Sequence, residues 1–209
     1  MRKIIGVSCI ALGLLCLLAA AGFAVYNRWE EQTGEQAAQT ILQDIRTHME
    51  YAAAKTLPQT PLEGENIQES LPEPAVLQMQ TVQVEGGECI GILAIPVLEV
   101  ELPVLTDWSY EKLKKAPCHY YGSCYESDFV IAAHNYASHF GRLTQLQTGD
   151  LVLFTDVAGQ THYYEVVLLE TLPPTATEEM ITSGFALSLY TCTPGGGNRV
   201  TVRCNTANK

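Results

Sequence analysis

The sequence predicts a mainly β domain, either a closed barrel or a sandwich, preceded by an N-terminal transmembrane helix and a helical stalk. Three observations predict this order: an uncharged N-terminal run, a polar segment with helical periodicity, and short apolar runs separated by turn residues from about Val76 onward. We divide the chain into a cytoplasmic tip with a membrane anchor (1–28), a helical stalk with a proline-rich linker (29–75) and the β domain (76–209). The 209 residues are 47% hydrophobic and 17% charged, a composition too apolar for a disordered chain.

The N-terminal apolar run is long enough to cross a membrane. Residues 4–26 include no charge, and a helix of 23 residues at about 1.5 Å each spans a hydrocarbon core of roughly 30 Å. A cleaved signal peptide is the alternative, because residues 19–21 are alanines suited to cleavage, but cleaved apolar regions are shorter, about 7 to 15 residues. Arg2 and Lys3 precede the run and all 23 acidic residues follow it. The positive-inside rule therefore predicts a single-pass protein of the cell membrane, with a cytoplasmic N-terminus and an extracellular domain.

The segment between the membrane run and the β domain has two parts. Residues 30–57 are rich in Gln, Glu and Ala, and Ile41, Ile45 and Met49 recur every four residues, which predicts a helix with a narrow apolar stripe. Residues 58–74 contain four prolines among polar residues, which predicts a linker or a strap lying over the domain.

Seven short strands are predicted in the β domain. A glycine-containing turn at 157–160 lies between two apolar runs, so residues 151–170 should form a hairpin. A barrel or a sandwich disposes of the edges of so many short strands. The strands are expected at 89–95, 98–104, 129–133, 151–156, 162–170, 186–191 and 199–204, with helical turns at 108–116 and 177–182.

Charge and cysteine spacing argue against two classes of partner. A net charge of −11, from 12 basic and 23 acidic residues, argues against a nucleic-acid binder. The seven cysteines form no CxxC pair and no HExxH is present, so no metal and no cofactor is predicted. Four further cysteines of the β domain are Cys89, Cys118, Cys124 and Cys204. They allow two disulfides or none, and the sequence does not choose between these states.

Three side chains suited to acyl transfer lie at predicted strand ends. His134 follows one strand, Cys192 ends another, and Arg199 begins the next after a glycine-rich turn. A thiol attacks a carbonyl, an imidazole moves protons and a guanidinium stabilises an oxyanion. We therefore predict Cys192, His134 and Arg199 as catalytic residues.

The neighbours of these residues supply further candidates. Thr191, Asn135 and Tyr136 are predicted to bind substrate. His139 is interpreted as a solvated loop residue or a helper of His134. Arg203 competes with Arg199, but it lies four residues further along the strand, roughly 13 Å from the turn, and is therefore less suited to act beside Cys192.

These motifs resemble those of the sortases. Residues 189–192 (Leu-Tyr-Thr-Cys), followed by Arg199, resemble the TLxTC signature and trailing arginine, with Ser188 in place of the first threonine. The resemblance extends over about 91–203. The surroundings of His134 are similar to the segment carrying the sortase histidine, through His139, Phe140, Leu143, Gly149 and Asp150.

The resemblance implies a membrane-anchored cysteine transpeptidase with an eight-stranded barrel. Such enzymes cut a C-terminal sorting signal of a secreted protein, hold the acyl part as a thioester, and pass it to an amine of a peptidoglycan precursor or a pilin. It implies that Cys192 is the nucleophile, His134 the general acid and then base, and Arg199 the stabiliser of the oxyanion. The interval 170–186 is too short for the inserted helix of class B, and residues 58–74 lack the lid motif of class C, so neither class is favoured.

Three other functions are alternatives. A thiol hydrolase would use the same residues. An L,D-transpeptidase would have glycine before the cysteine and arginine two residues after it, where this sequence has Thr191 and Pro194. A non-catalytic envelope-binding module would require an inert Cys192.

Overall fold

The computed structural model describes residues 2–56 and 78–207. The predicted linker or strap at 58–74, and any role for it as a lid, lies outside the described residues. The helices are α1 (Arg2–Thr56), α2 (Tyr110–Leu113) and α3 (Thr177–Ile181), and short 3₁₀ turns cover Pro96–Leu98 and Leu143–Gln145. The strands are β1 (Val82–Val84), β2 (Gly87–Ile95), β3 (Val100–Leu105), β4 (Cys118–Tyr121), β5 (Phe129–Ala132), β6 (Leu151–Asp156), β7 (Thr161–Leu172), β8 (Leu187–Cys192) and β9 (Arg199–Thr206).

Strands β2 to β9 form a closed barrel. They are hydrogen-bonded in the order β2-β3-β4-β5-β8-β9-β7-β6, and β6 pairs with β2 to close the ring. Strand β1 adds to the N-terminal end of β2. The β3–β4 and β5–β8 pairs are parallel and the others are antiparallel. Closure leaves the eight strands without a free edge, and it confirms the barrel over the sandwich.

All seven predicted strands are present, each within two residues of its expected bounds, and the hairpin of β6 and β7 is confirmed. Two strands were missed, β1 and β4. Strand β1 is three residues long, and β4 has the sequence Cys-His-Tyr-Tyr directly after a proline, so neither shows an apolar alternation. The helical turn expected at 108–116 is reduced to α2, which Ser109 caps by accepting a hydrogen bond from the Lys112 amide at 3.2 Å.

The interior of the barrel is filled by large apolar side chains. Phe129 of β5 and Phe154 of β6 are fully buried and meet edge to face, with their ring centroids 5.0 Å apart. Strand β5 is buried along its whole length. A rigid core therefore supports the strand ends, where the predicted catalytic residues lie.

The long helix α1 has an exposed apolar part and a part that packs on the barrel. Its N-terminal half includes an 18-residue window with a mean hydropathy of 2.0 and no burial, so this helix is long and apolar enough to cross a membrane, a test that a signal sequence also passes. Further along, the helix buries Ile41, Leu42 and Ile45 against the barrel. They pack on residues of β1 to β3, among them Val84 and Leu105. The helix crosses the predicted 28/29 boundary without a break, and the domain boundaries remain predictions.

Polar contacts also attach α1 to the barrel. The Arg46 guanidinium pairs with Glu101 at 2.6 Å, and the Asp44 carboxylate accepts a hydrogen bond from the Glu85 amide at 2.8 Å. Gly34 lies where an added Cβ would meet the Lys114 carbonyl oxygen at 2.6 Å. Glycine therefore permits the helix to approach the residues that follow α2.

His139 is buried, contrary to the expectation of a solvated loop residue. Its side chain is 1% exposed, and its ring lies 5.3 Å from that of Tyr136. Burial lowers the pKa of His139 from 6.5 to about 4, and the neighbouring His134 contributes in the same direction. The polar turn in the sequence gives no sign of this burial because the residues that cover it, including Gly34, lie about a hundred positions earlier.

The packing of α1 can be tested with Ile45→Ala in the full chain in detergent micelles. Ile45 is 0% exposed, so its truncation should lower the free energy of unfolding by about 2 to 5 kcal/mol, as measured by denaturant titration. Tyr51→Ala is the control on the same helix, since Tyr51 is 71% exposed, and should change stability by no more than about 0.5 kcal/mol. Equal effects of the two changes would show that α1 does not pack as described.

The burial of His139 predicts an acid-sensitive fold. Between its unfolded pKa of 6.5 and its folded pKa of about 4, the unfolded chain binds one more proton than the native chain. The contribution of His139 is therefore fully present above pH 6.5 and is lost as the pH falls towards 4, by about 3 kcal/mol, since one pKa unit is about 1.4 kcal/mol.

The measurement is the free energy of unfolding between pH 7.5 and 4.5. His139→Gln should flatten the profile, whatever its effect on stability at pH 7.5, whereas His48→Gln, an exposed change on α1, should leave the slope unaltered. A profile unchanged by His139→Gln would contradict the assignment.

Candidate active site

The predicted catalytic residues come together at one end of the barrel because of the strand directions. Strands β5 and β8 are parallel, with Ala132 opposite Tyr190, so their C-terminal ends lie together. His134 follows β5 and Cys192 ends β8. Strand β9 returns antiparallel to β8, and its first residue, Arg199, is paired with Cys192.

Cys192 and Arg199 are the last pair of the β8–β9 ladder, and their side chains lie on the same face of the sheet, as directly opposed residues do. Both are half-buried. Together with His134 they line a pocket of about 240 Å³. The other walls of this pocket include Trp108, Tyr110, Tyr120, Pro173, Met180 and Tyr190.

The aromatic residues of the pocket form a connected wall. Tyr120 of β4 lies between Trp108 and Tyr190, with ring centroids 5.8 and 5.4 Å apart. Sequence reasoning missed Tyr120 together with its strand. A short cluster of aromatic residues at 119–121 was the only signal that pointed to it.

The turn between β8 and β9 positions Arg199. Its Nη1 atom donates hydrogen bonds to the carbonyl oxygens of Gly196 and Asn198, both at 3.1 Å. Gly195 and Gly196 adopt φ angles of 83° and 76°, a region that favours glycine. Nε and Nη2 of Arg199 have no hydrogen-bond partner in the part of the chain that the structure describes, so these donors are free to bind a ligand.

Arg203 occupies a different environment. It is 2% exposed, and its Nε donates to the Glu170 carboxylate at 2.7 Å while Nη1 donates to the Ser188 hydroxyl at 2.8 Å. Nη2 donates to the Glu179 carbonyl oxygen at 2.7 Å, which attaches the α3 region to the barrel. Arg203 does not line the Cys192 pocket, whereas Arg199 does.

His134 is half-buried and stacks on Tyr136, with ring centroids 4.9 Å apart and 27° between the planes. Its Nε2 atom is buried without a hydrogen-bond partner among the described residues. Burial lowers the pKa of His134, while Glu30 of α1 raises it and Lys114 lowers it. The imidazole is therefore neutral at neutral pH and has a nitrogen free for proton transfer.

Helix α1 holds the loop that carries His134. The Glu31 carboxylate accepts a hydrogen bond from the Ala137 amide at 2.6 Å, and Glu30 pairs with Lys114 at 3.7 Å. A second pocket, of about 650 Å³, lies between this part of α1 and the loop. Sequence reasoning missed Glu30 and Glu31 because about a hundred residues separate them from His134.

The predicted substrate-binding residues have three different positions. Thr191 is buried, and its hydroxyl donates to the Ala133 carbonyl oxygen at 2.8 Å, which joins β8 to the residue before His134. Asn135 is exposed and lines both the α1 pocket and a groove of about 290 Å³ that also contains Cys192. Tyr136 lines the α1 pocket, and burial raises its pKa to about 12.

The remaining cysteines of the barrel are buried, free thiols. Burial raises the pKa of Cys89 to about 11, and it raises the pKa values of Cys118, Cys124 and Cys204 to about 12. Burial thus favours the protonated form of these free thiols. Within the described part of the barrel, Cys192 is the thiol that reaches a pocket together with an arginine and a histidine.

The family models and the solved structures agree on one family. The model of the sortase domain matches residues 93–207. Comparison with curated proteins finds none that matches.

Several solved structures are similar to this chain. Sortase C1 of Streptococcus suis is 32% identical, with a TM-score of 0.52 over 58% of this chain and 74% of that one. Sortase C2 of pilus island 1 of Group B Streptococcus is 26% identical, with a TM-score of 0.53 over 78% of this chain and 97% of that one. Sortase E of Streptomyces avermitilis is 26% identical, with a TM-score of 0.50 over 59% and 90% of the two chains.

The similar structures include classes C and E at nearly equal TM-scores, so the subclass stays unassigned, and the expectation that classes B and C are not favoured stays a prediction. The family model covers more than half of the chain, and the matched region contains His134, Cys192 and Arg199. The chain therefore belongs to the sortase family, whose members are cysteine transpeptidases.

Proposed function

We propose that this protein cleaves a C-terminal sorting signal of secreted proteins through a thioacyl intermediate on Cys192 and transfers the acyl part to an amine. The acceptor is a peptidoglycan precursor or a pilin amine. The observation that carries the proposal is that Cys192, Arg199 and His134 line one pocket at the end of strands β5, β8 and β9.

Acylation begins with transfer of the Cys192 thiol proton to His134, which leaves a thiolate to attack the scissile carbonyl. The neutral imidazole is the form that accepts this proton, and burial keeps His134 in that form. Glu30 stabilises the resulting imidazolium, since its charge raises the pKa of His134. The imidazolium then protonates the departing amine, and the neutral imidazole later accepts a proton from the attacking acceptor amine.

Arg199 stabilises the oxyanion in this proposal. Its Nη1 is held by the two turn carbonyls, while Nε and Nη2 remain as donors on the side chain paired with Cys192. Donors that are positioned before the reaction stabilise developing charge without reorganising in the transition state. The turn thus acts as a support for the guanidinium.

The walls of the pocket favour an apolar peptide segment, because aromatic and proline side chains surround the polar catalytic groups. We assign Asn135 and Tyr136 to substrate binding, since both line pockets beside His134. Thr191 has a positioning role instead, because its buried hydroxyl is engaged by Ala133.

We also propose that α1 anchors the protein in the cell membrane in a single pass, with residues 1–28 as tip and anchor and the barrel outside. The uncharged run and the two basic residues before it support this orientation. Because the same helix packs on the barrel through Ile41 and Ile45, one continuous helix connects the anchor to the domain that carries the catalytic pocket.

The thioacyl step is tested by intact-mass spectrometry of the full chain in detergent micelles after incubation with a set of LPxTG-like peptides. We expect an acyl adduct in the wild type that Cys192→Ala abolishes. Cys204→Ala is the control, because Cys204 is a free thiol of the barrel core and its removal should leave the adduct intact in the folded protein. An adduct that persists in Cys192→Ala would overturn the proposal.

Adding an amine acceptor to the same reaction distinguishes transfer from hydrolysis. A peptide–acceptor product supports transpeptidation, and water as the sole acceptor identifies a thiol hydrolase.

The two arginines can be separated by matched substitutions. Arg199→Lys keeps the charge but loses the planar fork, so the acylation rate should fall on the order of 10² to 10³, as for a lost oxyanion donor. Arg203→Lys breaks buried hydrogen bonds and should cost about 1 to 3 kcal/mol of stability, while the acylation rate of the folded enzyme stays within about threefold of wild type. A severe acylation defect in folded Arg203→Lys together with a mild one in Arg199→Lys would reverse the assignment.

A further inference from the structure

Three side chains of types that can bind a metal ion lie close together at the end of the barrel opposite Cys192. Cys124 lies in the loop after β4, Asp156 ends β6, and His162 lies near the start of β7. Strand β4 runs antiparallel to β5, and β7 runs antiparallel to both β6 and β9, so these positions lie away from the catalytic strand ends. The sequence shows no metal motif because the first two of these residues are 32 positions apart.

The three candidate ligand atoms lie close to one another. The Cys124 sulfur, an Asp156 carboxylate oxygen and an imidazole nitrogen of His162 all lie within 4.8 Å of one another. Asp156 Oδ2 and His162 Nε2 are 3.6 Å apart, too far for a good hydrogen bond. That separation is close to the edge, about 3.3 Å, of a tetrahedron with metal–ligand bonds of about 2.0 to 2.1 Å.

Two buried polar atoms at this place lack partners. His162 Nε2 and the Tyr164 hydroxyl make no hydrogen bond within residues 2–56 and 78–207. Tyr164 is 3% exposed and lies near Cys124. Buried polar groups without partners are costly, and coordination of a metal would satisfy the Nε2 atom of His162.

The carboxylate and the imidazole are already oriented by their surroundings. The Tyr125 hydroxyl donates to Asp156 Oδ2 at 2.6 Å, and the Gln160 amide donates to Asp156 Oδ1 at 2.9 Å. The His162 ring lies between Tyr125 and Phe154, with centroid distances of 5.3 and 6.3 Å. Metal ligands in proteins are held by outer contacts of this kind.

We propose that Cys124, Asp156 and His162 bind a zinc ion, with a water molecule as the fourth ligand. Sulfur, nitrogen and carboxylate ligands suit Zn²⁺ in tetrahedral geometry, whereas Ca²⁺ and Mg²⁺ prefer six or more oxygen atoms. Coordination displaces the Cys124 thiol proton to solvent. The ion joins the loop after β4 to the β6–β7 hairpin, at the end of the barrel away from the catalytic pocket.

The direct test is titration of the metal-free full chain in detergent micelles with Zn²⁺ against a chromophoric chelator. We expect one Zn²⁺ per chain. The affinity for Zn²⁺ should be at least 100-fold lower in Cys124→Ala and in His162→Ala. It should be about 10-fold lower in Tyr125→Phe, which removes only an outer contact. Cys118→Ala is the matched control, since Cys118 is also a buried thiol. His48→Ala controls for histidine, and both controls should keep wild-type affinity.

Binding that is unchanged in Cys124→Ala, or that is lost in Cys192→Ala, would overturn the proposal, as would the absence of stoichiometric Zn²⁺ in the wild type. Cobalt substitution in the wild type gives a second readout that does not depend on variants folding. A thiolate-to-cobalt charge-transfer band with tetrahedral visible absorption supports the site. Bound Co²⁺ without that band would refute the sulfur ligand.

Discussion

The position of β8 between β5 and β9 is the constraint on which the candidate active site depends. Parallel pairing with β5 brings the residues after Ala132 to the end of β8, and antiparallel pairing with β9 sets Arg199 opposite Cys192. The Thr191 hydroxyl on the Ala133 carbonyl extends the contact beyond the last paired residues. A slip of one residue would turn Cys192 to the other face of the sheet and separate it from Arg199.

Helix α1 provides the second support of the site. Its Glu31 carboxylate holds the loop that carries His134, and Glu30 opposes the effect of burial on the pKa of that histidine. The apolar N-terminal part of the same helix is exposed, while Ile45 is buried against the barrel. One continuous helix therefore contains the proposed membrane anchor and also the two carboxylates that act on His134 and its loop.

Burial separates the chemistry of the cysteines in the barrel. Cys204 lies on β9 and is paired with Leu187, in the core, where burial raises its pKa to about 12. Cys124 lies at the far end of the barrel beside Asp156 and His162. Cys192 alone among the described barrel cysteines lines the pocket shared with His134 and Arg199. The position of each thiol in the barrel thus separates the cysteines that pack in the core from those with the proposed metal-binding and catalytic roles.

Local patterns in the sequence determined the N-terminal helix, seven strands and the candidates Cys192, His134 and Arg199, because apolar periodicity and strand-end motifs involve neighbouring residues. Strand β4 carries no such pattern, and its pairing in the barrel defines it. The burial of His139, the contact of Glu31 with Ala137, and the meeting of Cys124 with His162 were decided by the tertiary structure. Each of these joins segments that are distant in the chain, and only barrel closure and the packing of α1 bring them together.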